Sequence, residues 1–181
     1  MKFDKKEFFT IPNIMGYFRI ILIPIFTYLY FSATSTQDYY IVATLVLIST
    51  ITDFFDGKIA RKFNQVSEFG KFLDPVADKM THFALVICLM SRYHYMYYLV
   101  ALMVLKEGFM AVMGMIKLKK GKKLNGAMWF GKVCTATLFL CLLFLIMFPS
   151  IPLAVANGVI ITCMVIMVFT LLMYIPVFAR M

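Results

Sequence analysis

Eight residues in one stretch of the chain have the types and spacing for chemistry: Asp53, Asp56, Gly57, Ala60, Arg61, Gly70, Asp74 and Asp78, in the pattern D-x2-D-G-x2-A-R-x8-G-x3-D-x3-D. Continued as helix, Asp53 and Asp56 stand three apart and share a face, and Asp74 and Asp78, four apart, share another. A turn joining two such helices points all four carboxylates into one pocket. They remain ionised together only with cations between them. A donor set made wholly of carboxylate oxygen suits Mg2+ or Mn2+, and Mg2+ is usually shared with substrate phosphates. A diphosphate is therefore the natural ligand. Gly57 and Ala60 let it approach the helix backbone closely. Arg61, one turn beyond Gly57, offers a guanidinium fork to phosphate oxygens. Gly70 falls in the turn, where a close approach or a positive φ is expected. His82, four residues after Asp78, is read as a hydrogen-bonded polar residue of the bundle.

The elements that must hold these residues are membrane helices. Of 181 residues 62% are hydrophobic and 15% charged, whereas a soluble domain is nearer half apolar and a quarter charged. The apolar residues fall into six runs, near 14–33, 39–57, 73–91, 94–116, 128–148 and 152–178. Each run approaches the ~20 residues that cross a bilayer as helix. No alternating barrel pattern is present, so the expected class is an all-α integral membrane protein with six transmembrane helices. Residues 1–181 form a single domain, and residues 1–12 are a juxtamembrane segment whose mixed charges and aromatics suit a short interfacial helix. Pro75 fits the first turn of a helix, which starts span three there and puts Asp78 one turn inside it. A carboxylate at a membrane helix centre costs roughly 2.5–3.5 kcal/mol, so four of them imply use.

Charge sets the orientation. Lys2, Lys5 and Lys6 precede span one; Lys58, Arg61, Lys62 and Lys71 lie between spans two and three; the run from Lys117 to Lys123 lies between four and five; and Arg180 follows span six. The opposite loops hold only Arg92. Both termini and the aspartate stretch are then cytoplasmic. The Lys117–Lys123 run is a topology signal first and a surface for anionic headgroups second. With its basic residues split among membrane-flanking loops, the chain has no basic domain for nucleic acid. Acidic residues in the leader and Arg19 within the first apolar run argue against a signal peptide. Cys88, Cys134, Cys141 and Cys163 lack metal-ligand spacing and read as small buried hydrophobes.

The eight-position pattern resembles the signature of the CDP-alcohol phosphotransferases at every specified position. Residues 11–24 look like that family's opening Pro-Asn-x-Leu-Thr-x-x-Arg segment, and residues 69–79 look like the branch of phosphatidylglycerophosphate and cardiolipin synthases. The resemblance covers residues 11–80; beyond them it rests on hydropathy. It implies a homodimer of six-helix protomers in which CMP leaves a CDP-linked donor as an acceptor hydroxyl attacks the β-phosphorus. It implies Asp53, Asp56 and Asp74 as ligands of two metal ions, with Asp78 as a further ligand or the general base. Gly57, Ala60, Arg61 and Gly70 correspond to CDP-binding positions. CDP-diacylglycerol is the expected donor, since its acyl chains can stay in lipid.

Glycerol 3-phosphate is the leading acceptor, giving phosphatidylglycerophosphate, and the cations Arg19, Lys106 and Lys132 are the candidates for its phosphate. Snorkelling to the interface is their simpler explanation. Met15-Gly16 stands where the family has Leu-Thr. Gly131-Lys132-Val133-Cys134-Thr135 lacks the second Lys of a Gly-Lys-x-Lys-Thr element. Phosphatidylglycerol, giving cardiolipin, and an inositol phosphate thus stay open as acceptors; serine fits the 74–79 segment less well. An aspartate-rich prenyltransferase would be longer with different spacing. A divalent-cation carrier, the non-enzyme alternative, would place acids mid-membrane in both halves of a repeat, but here they cluster at one edge. The small size and lack of a transit peptide point to a prokaryotic plasma membrane with the active site on its cytoplasmic side.

Overall fold

A computed structural model describes residues 9–63, 65, 67–119 and 128–180. The interfacial helix expected within residues 1–12 falls largely outside these, as does most of the Lys117–Lys123 run. All regular structure among the described residues is helical: α1 Ile11–Ser32, α2 Thr36–Lys62, α3 Glu68–Met90, α4 Met96–Lys119, α5 Trp129–Met147 and α6 Leu153–Arg180. Five of the six, all but α3, are long and apolar enough to cross a membrane. The first half of α3 carries Glu68, Lys71, Asp74, Asp78 and Lys79, which lowers its hydropathy although its 23 residues match the others in length. Large apolar side chains such as Ile21, Tyr28, Leu140 and Val165 are exposed, as helices that face lipid require.

Local signals explain the helix ends. Thr34 to Asp38 breaks the apolar pattern, and there Ser35 and Asp38 form a capping box: the Asp38 amide donates to Ser35 Oγ at 3.3 Å and the Ser35 amide to Asp38 Oδ2 at 2.8 Å. This satisfies amides that a helix start leaves unpaired. Pro12 opens α1, where a missing N–H costs nothing. α2 continues to Lys62, beyond the expected limit of 57, so Asp53, Asp56, Gly57, Ala60 and Arg61 all lie on one uninterrupted helix.

The start of α3 corrects the sequence reading. The helix begins at Glu68, not near 73, and Pro75 lies inside it. The capping hydroxyl is that of Ser67, which accepts the Gly70 amide at 2.9 Å. Asp74 and Asp78 are therefore about two and three turns into the helix, and Gly70 sits in its first turn instead of in a loop.

The chain divides into two compact units: Met1–Cys88 with Ile146–Ser150, and Leu89–Leu145 with Ile151–Met181. In the first, α1 packs along α2 and also meets α3. Its buried stripe runs Pro12, Asn13, Gly16, Arg19, Leu22, Phe26 and Tyr30, the three- and four-residue spacing of one helical face. In the second, α4 packs on α6. Phe130 of α5 meets Tyr174 of α6 edge-on at 4.6 Å, with Phe178 and Phe109 completing an aromatic core. The four cysteines are buried and free, as expected of small apolar residues.

Candidate active site

The site belongs to the first unit and is built from α1, α2 and α3. Asp53 and Asp56 come from one face of α2, and Asp74 and Asp78 from one face of α3, as their spacings require. Between them lies a residue of α1. The guanidinium of Arg19, 3% exposed, donates from Nη1 to Asp53 and from Nη2 to Asp78, and Nη1 stands 3.7 Å from Asp56 Oδ2. One planar group therefore spans carboxylates from both motif helices, which only a forked cation does. The sequence marks Arg19 as a candidate for an acceptor phosphate; its partners here are the aspartates themselves.

Beside this cluster is a cleft of about 290 Å³ lined by Pro12, Asn13, Asp56, Ala60, Gln65, Ser67, Gly70 and Asp74. Four of the eight motif positions, Asp56, Ala60, Gly70 and Asp74, thus meet around one opening. Asp53 and Asp78 join them through Arg19. Gly57 lies on the same α2 face as Asp53, Asp56 and Ala60, and a Cβ added to it would meet only Arg61 Nη2, at 3.9 Å. The space beside it is open, as close approach of a ligand to the backbone requires. Arg61 is exposed and Ala60 half-buried.

Gly70 is small for another reason as well. A Cβ there would lie 2.7 Å from Asn13 Oδ1 and 3.0 Å from Ser67 Oγ. The close approach expected at this position is thus made by a side chain of α1, and the glycine still lines the cleft. No positive φ is involved.

A divalent cation fits these residues. The donors are all carboxylate oxygens, and Asp56 Oδ2 is buried with no hydrogen-bond partner, a ligand position left open. Among the described residues no three acidic, histidine or cysteine side chains are already drawn into one coordination geometry; the Arg19 guanidinium pairs with Asp53, Asp56 and Asp78 instead.

The other candidate acceptor cations lie in the second unit. Lys106 of α4 is 6% exposed and pairs with its neighbour Glu107 at 3.1 Å. Lys132 is exposed on α5. His82 is half-buried on α3. Sequence reasoning singles out none of Asn13, Gln65 and Ser67 as site residues. Asn13 stands in the Pro-Asn segment that opens α1. Ser67, just ahead of Glu-Phe-Gly, carries the signal of a helix cap. Gln65 has no signal; its Oε1 is buried in the cleft without a partner among the described residues.

Comparison with known proteins supports the resemblance. The family model described as CDP-alcohol phosphatidyltransferase matches residues 9–177. The chain is 34% identical over 146 residues to the protein of Escherichia coli (strain K12) named CDP-diacylglycerol--glycerol-3-phosphate 3-phosphatidyltransferase, covering 79% of this chain and 80% of that one. Proteins of the same name from Shigella flexneri serotype 5b and Shigella sonnei match with the same identity and coverage.

Proposed function

Because the chain belongs to the CDP-alcohol phosphatidyltransferase family, we propose that it moves a phosphatidyl group from CDP-diacylglycerol to glycerol 3-phosphate, releasing CMP and forming phosphatidylglycerophosphate. The observation that carries this reading is the meeting of carboxylates from α2 and α3 around one cleft that Ala60 and Gly70 also line. A cation carrier needs no such small-residue wall beside its acids. Relatives named for glycerol 3-phosphate favour that acceptor over phosphatidylglycerol or an inositol phosphate.

The residues divide the work as follows. Asp53, Asp56 and Asp74, with Asp78, would hold Mg2+ or Mn2+, as two ions. When bound there, such an ion supplies charge neutralisation to the diphosphate and to the departing CMP. Gly57, Ala60 and Gly70 keep the wall low so that the nucleotide reaches the carboxylates, and Arg61 forks onto phosphate oxygen. The acceptor hydroxyl oxygen bonds to the β-phosphorus as the bond from that phosphorus to the CMP oxygen breaks. Asp78 takes the hydroxyl proton, a role worth roughly 10²–10⁴-fold in rate. Arg19, held among the aspartates, orients Asp53 and Asp78; its guanidinium, Lys106 and Lys132 are the candidate cations for an acceptor phosphate.

The same reading places six spans across a prokaryotic plasma membrane, both termini and the site on the cytoplasmic side, and two protomers per enzyme. α3, the helix not apolar enough to count as a span by composition alone, is then span three, with its acids facing the cleft and not lipid.

The test is CMP release by purified protein from CDP-diacylglycerol with Mg2+ or Mn2+ and glycerol 3-phosphate, beside Asp78→Asn. Expected are acceptor-dependent release, its loss on chelation, and a fall of about 10²-fold or more in the variant, which should still bind CDP. Release with phosphatidylglycerol or inositol phosphate alone would move the acceptor assignment. No metal-dependent CDP binding would overturn the mechanism.

A further inference from the structure

We propose that Asn13 and Ser67 are positioning residues: with the Gly70 backbone they form a buried latch between α1 and α3 that sets the depth and rotation at which Asp74 and Asp78 face the site. The inference rests on the catalytic reading of those two aspartates, but the latch itself is a matter of geometry.

Asn13, in the first turn of α1, is 1% exposed, and its Nδ2 donates to Ser67 Oγ at 3.2 Å. Ser67, 8% exposed, accepts the Gly70 amide on the same oxygen at 2.9 Å. A single hydroxyl oxygen therefore both caps α3 and ties it to α1. The contact is also tight. Asn13 Oδ1 lies 2.7 Å from where a Cβ of residue 70 would stand, a gap no side chain fills without a shift. Apart from the Arg19 hydrogen bond to Asp78, about two turns further along α3, the contacts between these helices near the cap, Gly16 against Leu73 and Tyr17 against Phe69 with ring centroids 6.3 Å apart, are apolar and tolerate sliding. Directional hydrogen bonds do not.

The leverage follows from helix geometry. Asp74 and Asp78 lie four and eight residues beyond Gly70, about one and two turns up the same rod. A one-residue slip at the cap would rotate them by about 100° and move them about 1.5 Å. Pro75 has no N–H to bond the preceding turn, so the stretch from 68 to 74 has fewer ladder bonds of its own and leans on its cap. Misplacement of a reacting group by about 1 Å can cost about 10²-fold in rate.

The experiment compares Asn13→Ala, Ser67→Ala, the double variant and Ser67→Thr, which keeps the hydroxyl, all purified as the full chain in lipid nanodiscs. Two readouts are taken: amide hydrogen exchange over residues 68–78, and kcat with donor KM for CMP release, alongside CDP binding. Expected for either alanine variant are at least tenfold faster exchange at Gly70 and a fall in kcat of about 10²-fold that exceeds any loss of CDP binding at the cleft both residues line; a loss carried by donor KM or CDP binding alone would overturn the positioning role. The double variant should be no worse than the singles, and Ser67→Thr should keep both exchange and kcat near the parent. Unchanged exchange, an additive double variant, or a Ser67→Thr as impaired as Ser67→Ala would overturn the latch. Faster exchange with kcat unchanged would overturn its positioning role. Should the parent release no CMP with any acceptor, the proposed function fails while exchange still decides whether the latch exists.

Discussion

Two glycines of the chain are small for different reasons, and substitution separates them. Gly57 borders open space, where an added Cβ would meet only Arg61 Nη2, at 3.9 Å. Gly57→Val should therefore leave thermal stability close to the parent and weaken CDP binding at least tenfold, measured by titration with Mn2+ present. Gly131 faces the opposite situation. A Cβ there would run into the Tyr174 hydroxyl and lie 3.2 Å from its Cζ, and Tyr174 is locked at 5% exposure between Phe130 and Phe178. Gly131→Ala is an overpacking change, expected to cost about 1–3 kcal/mol, seen as a lower Tm with CDP affinity per folded molecule unchanged. The four aspartates are legible at this scale because residue type and i, i+3 or i+4 spacing are local properties. Arg19 is visible in the sequence as an intramembrane cation. Its aspartate partners are not, because Asp53 and Asp78 lie 34 and 59 residues away in sequence.

At the scale of elements, composition locates the helices and capping chemistry their ends. α2 starts where Ser35 and Asp38 cap each other. Removing one partner, as in Ser35→Ala, should cost about 1 kcal/mol, read as a fall in Tm without change in CMP release, since this end of α2 is remote from the aspartates. α3 is the element that sequence reasoning misplaces. Its charged first half hides the apolar period, and Pro75 fits equally the first turn of a helix and a position within one. The true start depends on Ser67, whose hydroxyl is fixed by Asn13, 54 residues earlier. A cap completed by a distant side chain leaves little trace in the local pattern.

For the whole molecule, the proposed orientation rests on the asymmetry of Lys and Arg about the spans. A cysteine introduced at Ser150, exposed between α5 and α6, should react with a membrane-impermeant maleimide in intact cells. One introduced at Lys122 should react only after permeabilisation; the native thiols are buried. Labelling of Lys122→Cys in intact cells would reverse the assigned orientation and place the aspartates outside.

By itself the sequence determined the all-helical membrane class and the family, and it singled out carboxylates and small residues of which Asp56, Ala60, Gly70 and Asp74 line one cleft. Hydropathy, charge bias and helical spacing are carried by neighbouring residues, so they survive without knowledge of packing. Only the tertiary structure decided that Arg19 lies among the aspartates, that Asn13 fills the space a side chain at Gly70 would need, and that α3 takes its cap from Ser67. Each of these depends on the rotation and depth of one helix against another, and those are settled by contacts between residues far apart in the chain.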